Sequence, residues 1–164
     1  MDDRGFTEWV SGCERRLLRT AYLLTGDLRQ AQDLVQEALI KVAARWPRLS
    51  QGDPTAYART IIVRDNISWW RRRRELLSNR AWDGEEPSVS SDPDLALVVR
   101  RALARLTPAQ RAVLVLRHLE DLTERETAVV LGVSIGTVKS QNAAALARLR
   151  AGAPELLDLM GRTP

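Results

Sequence analysis

The 164-residue sequence contains one cysteine, Cys13, and one histidine, His118. A single cysteine excludes a disulfide within the chain, and these two residues are too few for a zinc site built from Cys and His. The sequence has no run of about 18 or more apolar residues, so it predicts no membrane span. Its acidic and basic start does not resemble a secretory signal. These absences predict a protein of a reducing cytoplasm.

Residues suited to catalysis are equally scarce. A Ser/His/Asp or Cys/His set would require His118 or Cys13, which fall in different predicted modules, and no glycine-rich phosphate loop occurs. The sequence therefore predicts that the protein is not an enzyme and holds neither a cofactor nor a metal. The charge, with a formal net value of +4, is segregated along the chain. Four arginines follow one another at 71–74, whereas the acids at 83–94 are not interrupted by a base, which indicates surfaces with distinct partners.

Apolar residues recur at helical spacing and almost nothing has the pattern of a strand, so the predicted fold is all-α. The first helix is predicted over residues 5–24 and ends before Gly26. Asp27 is suited to cap a second helix, whose apolar stripe continues to Trp46 before Pro47 stops it.

A third helix is predicted to start at Asp53, with Pro54 at its first position, and to continue into the arginine block. These three helices are expected to form one small module over residues 1–77. Residues 78–91 lose all periodicity and are rich in Ser, Gly, Pro and acids, which predicts a flexible acidic linker.

The second module is predicted over residues 92–164 and contains four short helices. Asp92 and Pro93 are suited to start the first of them. Thr107 and Thr123 each open a capping box before the next two. The tail 153–160 could add a last short helix.

Residues 123–150 have the anatomy of a helix-turn-helix. A capped helix is broken at Gly132, and Ser134 then caps a second helix that is free to enter the major groove. The positions suited to phosphate and base-edge contacts are Thr137, Lys139, Ser140 and Gln141. From the spacing alone, a helical hairpin that packs and binds nothing stays open as the alternative.

Two further patterns have both a functional and a structural interpretation. Trp69 and Trp70 beside the arginines offer stacking faces and phosphate neutralisation, as single-stranded or melting DNA requires. The alternative is one core tryptophan, one amphipathic tryptophan and a solvated basic face. Asp33, Gln36 and Glu37 share the polar face of the second helix, where their physical chemistry alone makes them ordinary solvated residues.

Four segments occur in a fixed order: LLRTAYLLTGD (17–27), DLVQEAL (33–39), SWWRRRR (68–74) and the stretch 106–140. Together they resemble an extracytoplasmic-function RNA polymerase sigma factor of actinobacterial type, over nearly the whole chain outside the linker and the last dozen residues. The resemblance implies a protein that binds core RNA polymerase and directs promoter-specific initiation by recognising −10 and −35 elements.

The resemblance also implies residue roles. Asp33, Gln36 and Glu37 match the segment that contacts the β′ clamp helices. The residues nearest the −10 strands would be Asn66, Trp69, Trp70, Arg71, Arg72 and Arg73. The second module would dock on the β flap and read the −35 element. Arg111 and Thr123 match phosphate-contact positions beside its recognition helix. The other residues on the −35 side would be Ser134, Thr137, Lys139, Ser140 and Gln141. A possible further partner in the family is an anti-sigma factor, which would clamp both modules.

The recognition helix departs from the family at Gln141-Asn142, where Arg-Leu is usual. Asn142 shares a helical stripe with Val138 and Ala145, which predicts a core-facing amide that lacks a partner, at a cost of about 1–3 kcal/mol. Asn142→Leu is then expected to raise the melting temperature. In place of the usual arginine, Gln141 could read an adenine edge.

Two other functions stay open at the level of sequence. One is a stand-alone helix-turn-helix regulator, which predicts dimers and a palindromic site. The other is a sigma-like inhibitor of polymerase.

Overall fold

A computed structural model of the protein describes residues 3–77 and 95–160, which fall in two compact units, Met1–Arg80 and Ala81–Pro164. Within these ranges every regular element is a helix and no strand occurs, which confirms the all-α prediction. The predicted linker 78–91 and the predicted helix start at Asp92-Pro93 lie outside the described residues.

The first unit contains α1 (Asp3–Thr25), α2 (Leu28–Ala43), α3 (Trp46–Leu49) and α4 (Pro54–Leu77). The second contains α5 (Leu95–Ala104), α6 (Pro108–His118), α7 (Glu124–Leu131), α8 (Ile135–Gly152) and α9 (Pro154–Met160). The second unit thus has a fifth helix, α9, where the sequence left a last short helix open; Leu156 and the preceding Ala153 are buried there.

The junction between α1 and α2 forms as local chemistry predicts. Gly26 adopts a left-handed φ of 71°, which a residue with a side chain rarely adopts, and its N–H donates to the carbonyl of Tyr22 at 2.8 Å. Asp27 follows as the N-cap, with its Oδ1 accepting from the Gln30 N–H at 2.9 Å.

The prediction that α2 continues to Trp46 is wrong, because α2 ends at Ala43. Trp46 begins the separate helix α3, and Pro47 lies in its first turn, where a missing N–H removes no helical hydrogen bond. The change of direction buries Trp46 against Phe6 and Trp9 of α1, with ring centroids 5.3 and 5.5 Å away.

The start of α4 agrees with its predicted signals, since Asp53 Oδ1 accepts from the Ala56 N–H at 2.8 Å. Trp9 Nε1 donates to Thr55 Oγ1 at 3.0 Å and thereby joins α1 to α4. The fully buried side chains of this unit include Leu17, Leu24, Val42, Ile62 and Val63. Their burial holds α1, α2 and α4 together.

In the second unit both predicted capping boxes form, at Thr107 with Gln110 and at Thr123 with Glu126. Gly132 ends α7 with a φ of 66°. The helix-turn-helix packs around Val113, Ala128 and Val138, one from each of α6, α7 and α8. Val129 of α7 is 69% exposed. The buried valine of this turn is Val130.

Candidate nucleic-acid interface

The first turn of α8 is fixed by Ser134, whose Oγ accepts from the Thr137 N–H at 3.1 Å. The two hydroxyl oxygens of Ser134 and Thr137 lie 2.9 Å apart, and Ser140 Oγ donates to the Thr137 carbonyl at 3.0 Å. Ser134, Thr137, Lys139 and Ser140 are all exposed. The structure therefore brings these four predicted residues together at the open start of α8.

The outward face of α8 is built mainly from small residues. Gly136, Ser140 and Ala143 are exposed and share one side of the helix, since each residue advances by about 100°. Lys139 stands at the edge of this face and supplies its long cationic side chain. Gln141 lies about 100° beyond Ser140 and is half-buried, so it does not share the centre of the face.

An open cleft of about 500 Å³ lies beside the start of α8. It is lined by Arg117, Thr123, Glu124, Arg125, Ile135 and Lys139. Of these, only Thr123 and Lys139 were predicted as site residues. The other four belong to three different helices, and their convergence depends on how α6, α7 and α8 pack.

Two of the side chains that line the cleft, Lys139 and Thr123, have partners within the protein. Lys139 Nζ lies 3.7 Å from Glu124 Oε2 across the α7–α8 junction. Thr123 Oγ1 accepts from the Glu126 N–H at 3.2 Å and lies 2.7 Å from Glu126 Oε2. The Thr123 hydroxyl is therefore engaged in capping α7, and a contact with phosphate would be additional to that role.

Arg111 does not occupy the position that the resemblance implies. It is only 7% exposed, with its Nε donating to the Leu103 carbonyl at 2.9 Å and its Nη2 donating to the Leu106 carbonyl at 3.3 Å. Burial lowers the pKa of the guanidinium. In this structure Arg111 braces the connection between α5 and α6, so the prediction that it contacts DNA phosphate needs correction.

The prediction of a partnerless amide at Asn142 is also wrong. Asn142 is half-buried, and its Oδ1 lies 3.0 Å from Nε2 of His118, at the end of α6. The sequence placed Asn142 correctly on the inner side of α8 but could not reveal which group faces it. His118 is exposed, and its hydrogen bond joins the recognition helix to α6.

Asn142→Leu is accordingly expected not to raise the melting temperature, because leucine removes the amide oxygen that contacts His118. A double-mutant cycle with His118→Ala and Asn142→Ala should give a coupling free energy of about 0.5–1 kcal/mol in urea unfolding. Additive effects of the two substitutions would show that the hydrogen bond does not contribute to stability.

The C-terminal half of α4 carries the aromatic and basic residues. The rings of Trp69 and Trp70 meet edge to face with centroids 5.0 Å apart, and the guanidinium of Arg73 lies 5.0 Å from the Trp69 ring centroid. Both tryptophans are half-buried, while Arg71, Arg72 and Arg73 are exposed. This combines partly accessible aromatic surface with exposed cations, as single-stranded DNA binding requires.

Asn66 does not belong to this exposed group, so the prediction that it lies nearest the −10 strands needs correction. It is 1% exposed, and its Oδ1 accepts no hydrogen bond from any described residue. It follows Ile62 by four positions and Val63 by three, so it lies on the buried stripe of α4. That spacing was readable from the sequence and argues against a surface role.

Asp33, Gln36 and Glu37 are exposed on α2, as predicted. Ile40, which was not among the predicted site residues, is 64% exposed on the same side of the helix. Its position outside the apolar stripe of α2 is the signal that could have identified it.

Lys41 joins the polar side of α2 to α4. Lys41 Nζ donates to Asp65 Oδ2 at 2.8 Å and lies 3.5 Å from Glu37 Oε1. The hydrogen bond to Asp65 raises the pKa of Lys41. The polar side of α2 is therefore held in a fixed orientation relative to α4.

Among residues 3–77 and 95–160, no helix has the length and apolar character needed to cross a membrane. In the same ranges no three His, Cys, Asp or Glu side chains are grouped so that they could hold a metal ion.

Comparison with known proteins assigns both units. Sigma-70 region 2 matches residues 9–75 and Sigma-70, region 4 matches residues 96–149. An RNA polymerase sigma-E factor of Streptomyces avermitilis is 40% identical over 88% of this chain and 83% of its own length. The ECF RNA polymerase sigma factor SigL of Mycobacterium tuberculosis is 31% identical over 85% of this chain and 84% of its own.

A solved structure agrees with these sequence relatives. The sigma factor RpoE of Bartonella quintana, in complex with the anti-sigma factor NepR, aligns with a TM-score of 0.69 and 25% identity. The alignment covers 89% of this chain and 94% of RpoE. With both sigma regions present in order and relatives similar over most of their length, the chain belongs to the extracytoplasmic-function family of RNA polymerase sigma factors and directs promoter-specific transcription.

Proposed function

We propose that the second unit reads the −35 element with the start of α8. The observation that carries this assignment is the exposed group of Ser134, Thr137, Lys139 and Ser140 beside a cleft that contains three cations. A capped helix start directs its free N–H groups outward, and Lys139 adds a positive charge beside the small residues of the outward face. These features allow α8 to approach a major groove closely.

In the first unit, the C-terminal half of α4 binds the opened −10 element. Trp69 and Trp70 supply partly exposed rings, and Arg71, Arg72 and Arg73 supply cations for the strand. Stacking of an unpaired base on an aromatic ring stabilises the melted state without requiring a hydrogen-bond code. The segment 78–91 then connects the two DNA-binding units.

The polar side of α2 binds the β′ clamp helices of the polymerase, and the second unit docks on the β flap. Asp33, Gln36 and Glu37 share one side of α2 with the exposed Ile40, which places an apolar side chain next to polar ones. The Lys41–Asp65 hydrogen bond keeps this face in place before the polymerase binds.

The polymerase supplies the catalytic chemistry, and this chain contributes recognition, so it needs neither catalytic residues nor a cofactor. It acts in the cytoplasm, where the polymerase engages the nucleoid. An anti-sigma factor that covers both units is a further partner, supported by the RpoE–NepR complex. A stand-alone regulator is not favoured, because it assigns no role to the Trp69–Trp70–arginine group.

The test is run-off transcription with core polymerase and a library of promoter fragments, with and without this protein. Products that start at a fixed distance from two shared sequence elements support the proposal and identify both elements. Polymerase binding without any product would instead indicate an inhibitor. Absence of polymerase binding would favour a stand-alone regulator.

Ile40→Asp is expected to weaken core-polymerase binding by about tenfold or more, since it places a new charge in an apolar contact. Leu28→Asp is the matched control, because Leu28 is 48% exposed at the other end of α2 and away from the Asp33–Glu37 side. Affinity is measured by fluorescence anisotropy of labelled full-length protein titrated with core enzyme. Equal losses in the two variants would contradict the assignment of this face.

A further inference from the structure

Glu124 is the acid in a cleft that otherwise carries cations. The cleft is lined by Arg117, Arg125 and Lys139 together with Thr123 and Ile135. Glu124 Oε2 lies 3.7 Å from Lys139 Nζ, and the two side chains are 39% and 63% exposed. Arg117 donates to the Leu122 carbonyl, which engages its guanidinium within the α6–α7 connection.

An acid at this place requires an explanation beyond helix stability. As the first residue of α7, Glu124 interacts favourably with the helix dipole. That interaction does not require its carboxylate to contact a cation of another helix. The carboxylate instead lies beside Lys139, the long cationic side chain at the edge of the outward face of α8. The pair offsets the charge of Lys139 at the place where α8 is proposed to contact DNA, while Arg117 and Arg125 keep the rest of the cleft basic.

We infer that Glu124 is a specificity-determining residue for the −35 element, an inference that rests on the proposed function of α8. Non-specific binding depends on cations that neutralise phosphates, so a carboxylate beside Lys139 reduces it. Glu124 reduces specific binding less, because the ammonium of Lys139 has three N–H donors. Lys139 can therefore keep its ion pair with Glu124 while it donates an N–H to a base-edge acceptor, such as guanine O6 or N7. Glu124 thus lowers the affinity for an incorrect −35 sequence more than the affinity for the correct one.

The experiment uses holoenzyme reconstituted with the full-length chain and two promoter fragments that share the −10 element. One fragment carries the −35 sequence recovered from the run-off library, and the other carries a scrambled −35 sequence. Polymerase contacts are the same for both fragments, so the ratio of their affinities isolates recognition of the −35 element. Glu124→Gln is expected to tighten binding to the scrambled fragment about two- to fivefold, and binding to the correct fragment by less.

Asp121→Asn is the matched control. It removes the same charge three positions earlier in the chain, from an exposed residue that does not line the cleft. Asp121 has a φ of 52°, a conformation that asparagine also tolerates. The control should leave the ratio of affinities unchanged. An equal effect of the two substitutions would overturn the inference, because general charge would then explain the result.

Lys139→Gln separates this inference from the proposed function. The substitution should weaken binding to both fragments and abolish the effect of adding Glu124→Gln. If Lys139→Gln weakens binding but the Glu124→Gln gain persists in the double variant, Glu124 does not act through Lys139. If Lys139→Gln changes neither affinity, the proposed role of this part of α8 is wrong, and the inference is overturned with it.

Discussion

Trp69→Ala is expected to reduce run-off transcription from a duplex promoter by about ten- to a hundredfold. Stacking of one base on an aromatic ring contributes about 1–3 kcal/mol. The Trp69 ring is half-buried and carries the Arg73 guanidinium 5.0 Å from its centroid, so it is held in place before DNA arrives. A positioned ring stabilises the opened strand without a further entropic cost of ordering its side chain.

The expected defect is confined to strand opening, and a premelted promoter tests this. A fragment with mismatched bases across the −10 element needs no melting, so Trp69→Ala should recover most of its activity there. Trp69→Phe is the conservative control, since phenylalanine keeps a stacking face. An equal defect on duplex and premelted promoters would indicate that Trp69 maintains the fold of α4 or binds a strand that is already open.

Arg111→Met is expected to lower the free energy of unfolding of the second unit by about 1.5–3 kcal/mol, because it removes hydrogen bonds from a charged donor. The carbonyls of Leu103 and Leu106 lose the guanidinium that now binds them. Arg111→Lys should restore little, since a single ammonium cannot reproduce the planar fork of donors.

The distribution of tryptophan makes this measurable in the full-length chain. Four of the five tryptophans, Trp9, Trp46, Trp69 and Trp70, lie in the first unit, and residues 95–160 contain none. Arg111→Met should therefore shift the urea transition seen by circular dichroism and leave most of the fluorescence transition in place. A phosphate-contact role predicts the opposite pattern, with unchanged stability and a reduced salt dependence of DNA binding.

Much of the fold was predictable because helix starts depend on neighbours in sequence. Asp27, Thr107, Thr123 and Ser134 each accept a hydrogen bond from an N–H three residues later, so residue identity and spacing were sufficient. Gly26 and Gly132 end their helices through a backbone conformation that is favourable for glycine. The order of the four motifs likewise identified the family before any contact was known.

The errors have more than one origin. α2 ends before Trp46 because the Trp46 ring packs in a buried position against two aromatic rings of α1. The free energy gained by this packing outweighs that of continuing the helix. Asn66 was assigned by its place in a motif, although its spacing from Ile62 and Val63 placed it inside. Arg111 was assigned to the DNA side by the resemblance alone, whereas packing of α5 against α6 buries its guanidinium on the carbonyls of Leu103 and Leu106.

The sequence by itself determined where the capped helices begin, where Gly26 and Gly132 end two of them, and which family the order of motifs indicates. Tertiary structure alone decided which side chains from different helices meet, as in the pairs His118–Asn142 and Glu124–Lys139. The physical reason is the range of the interactions involved. Caps and turns are satisfied within about four residues, whereas these two pairs join positions 24 and 15 residues apart, which only the packing of α6, α7 and α8 brings together.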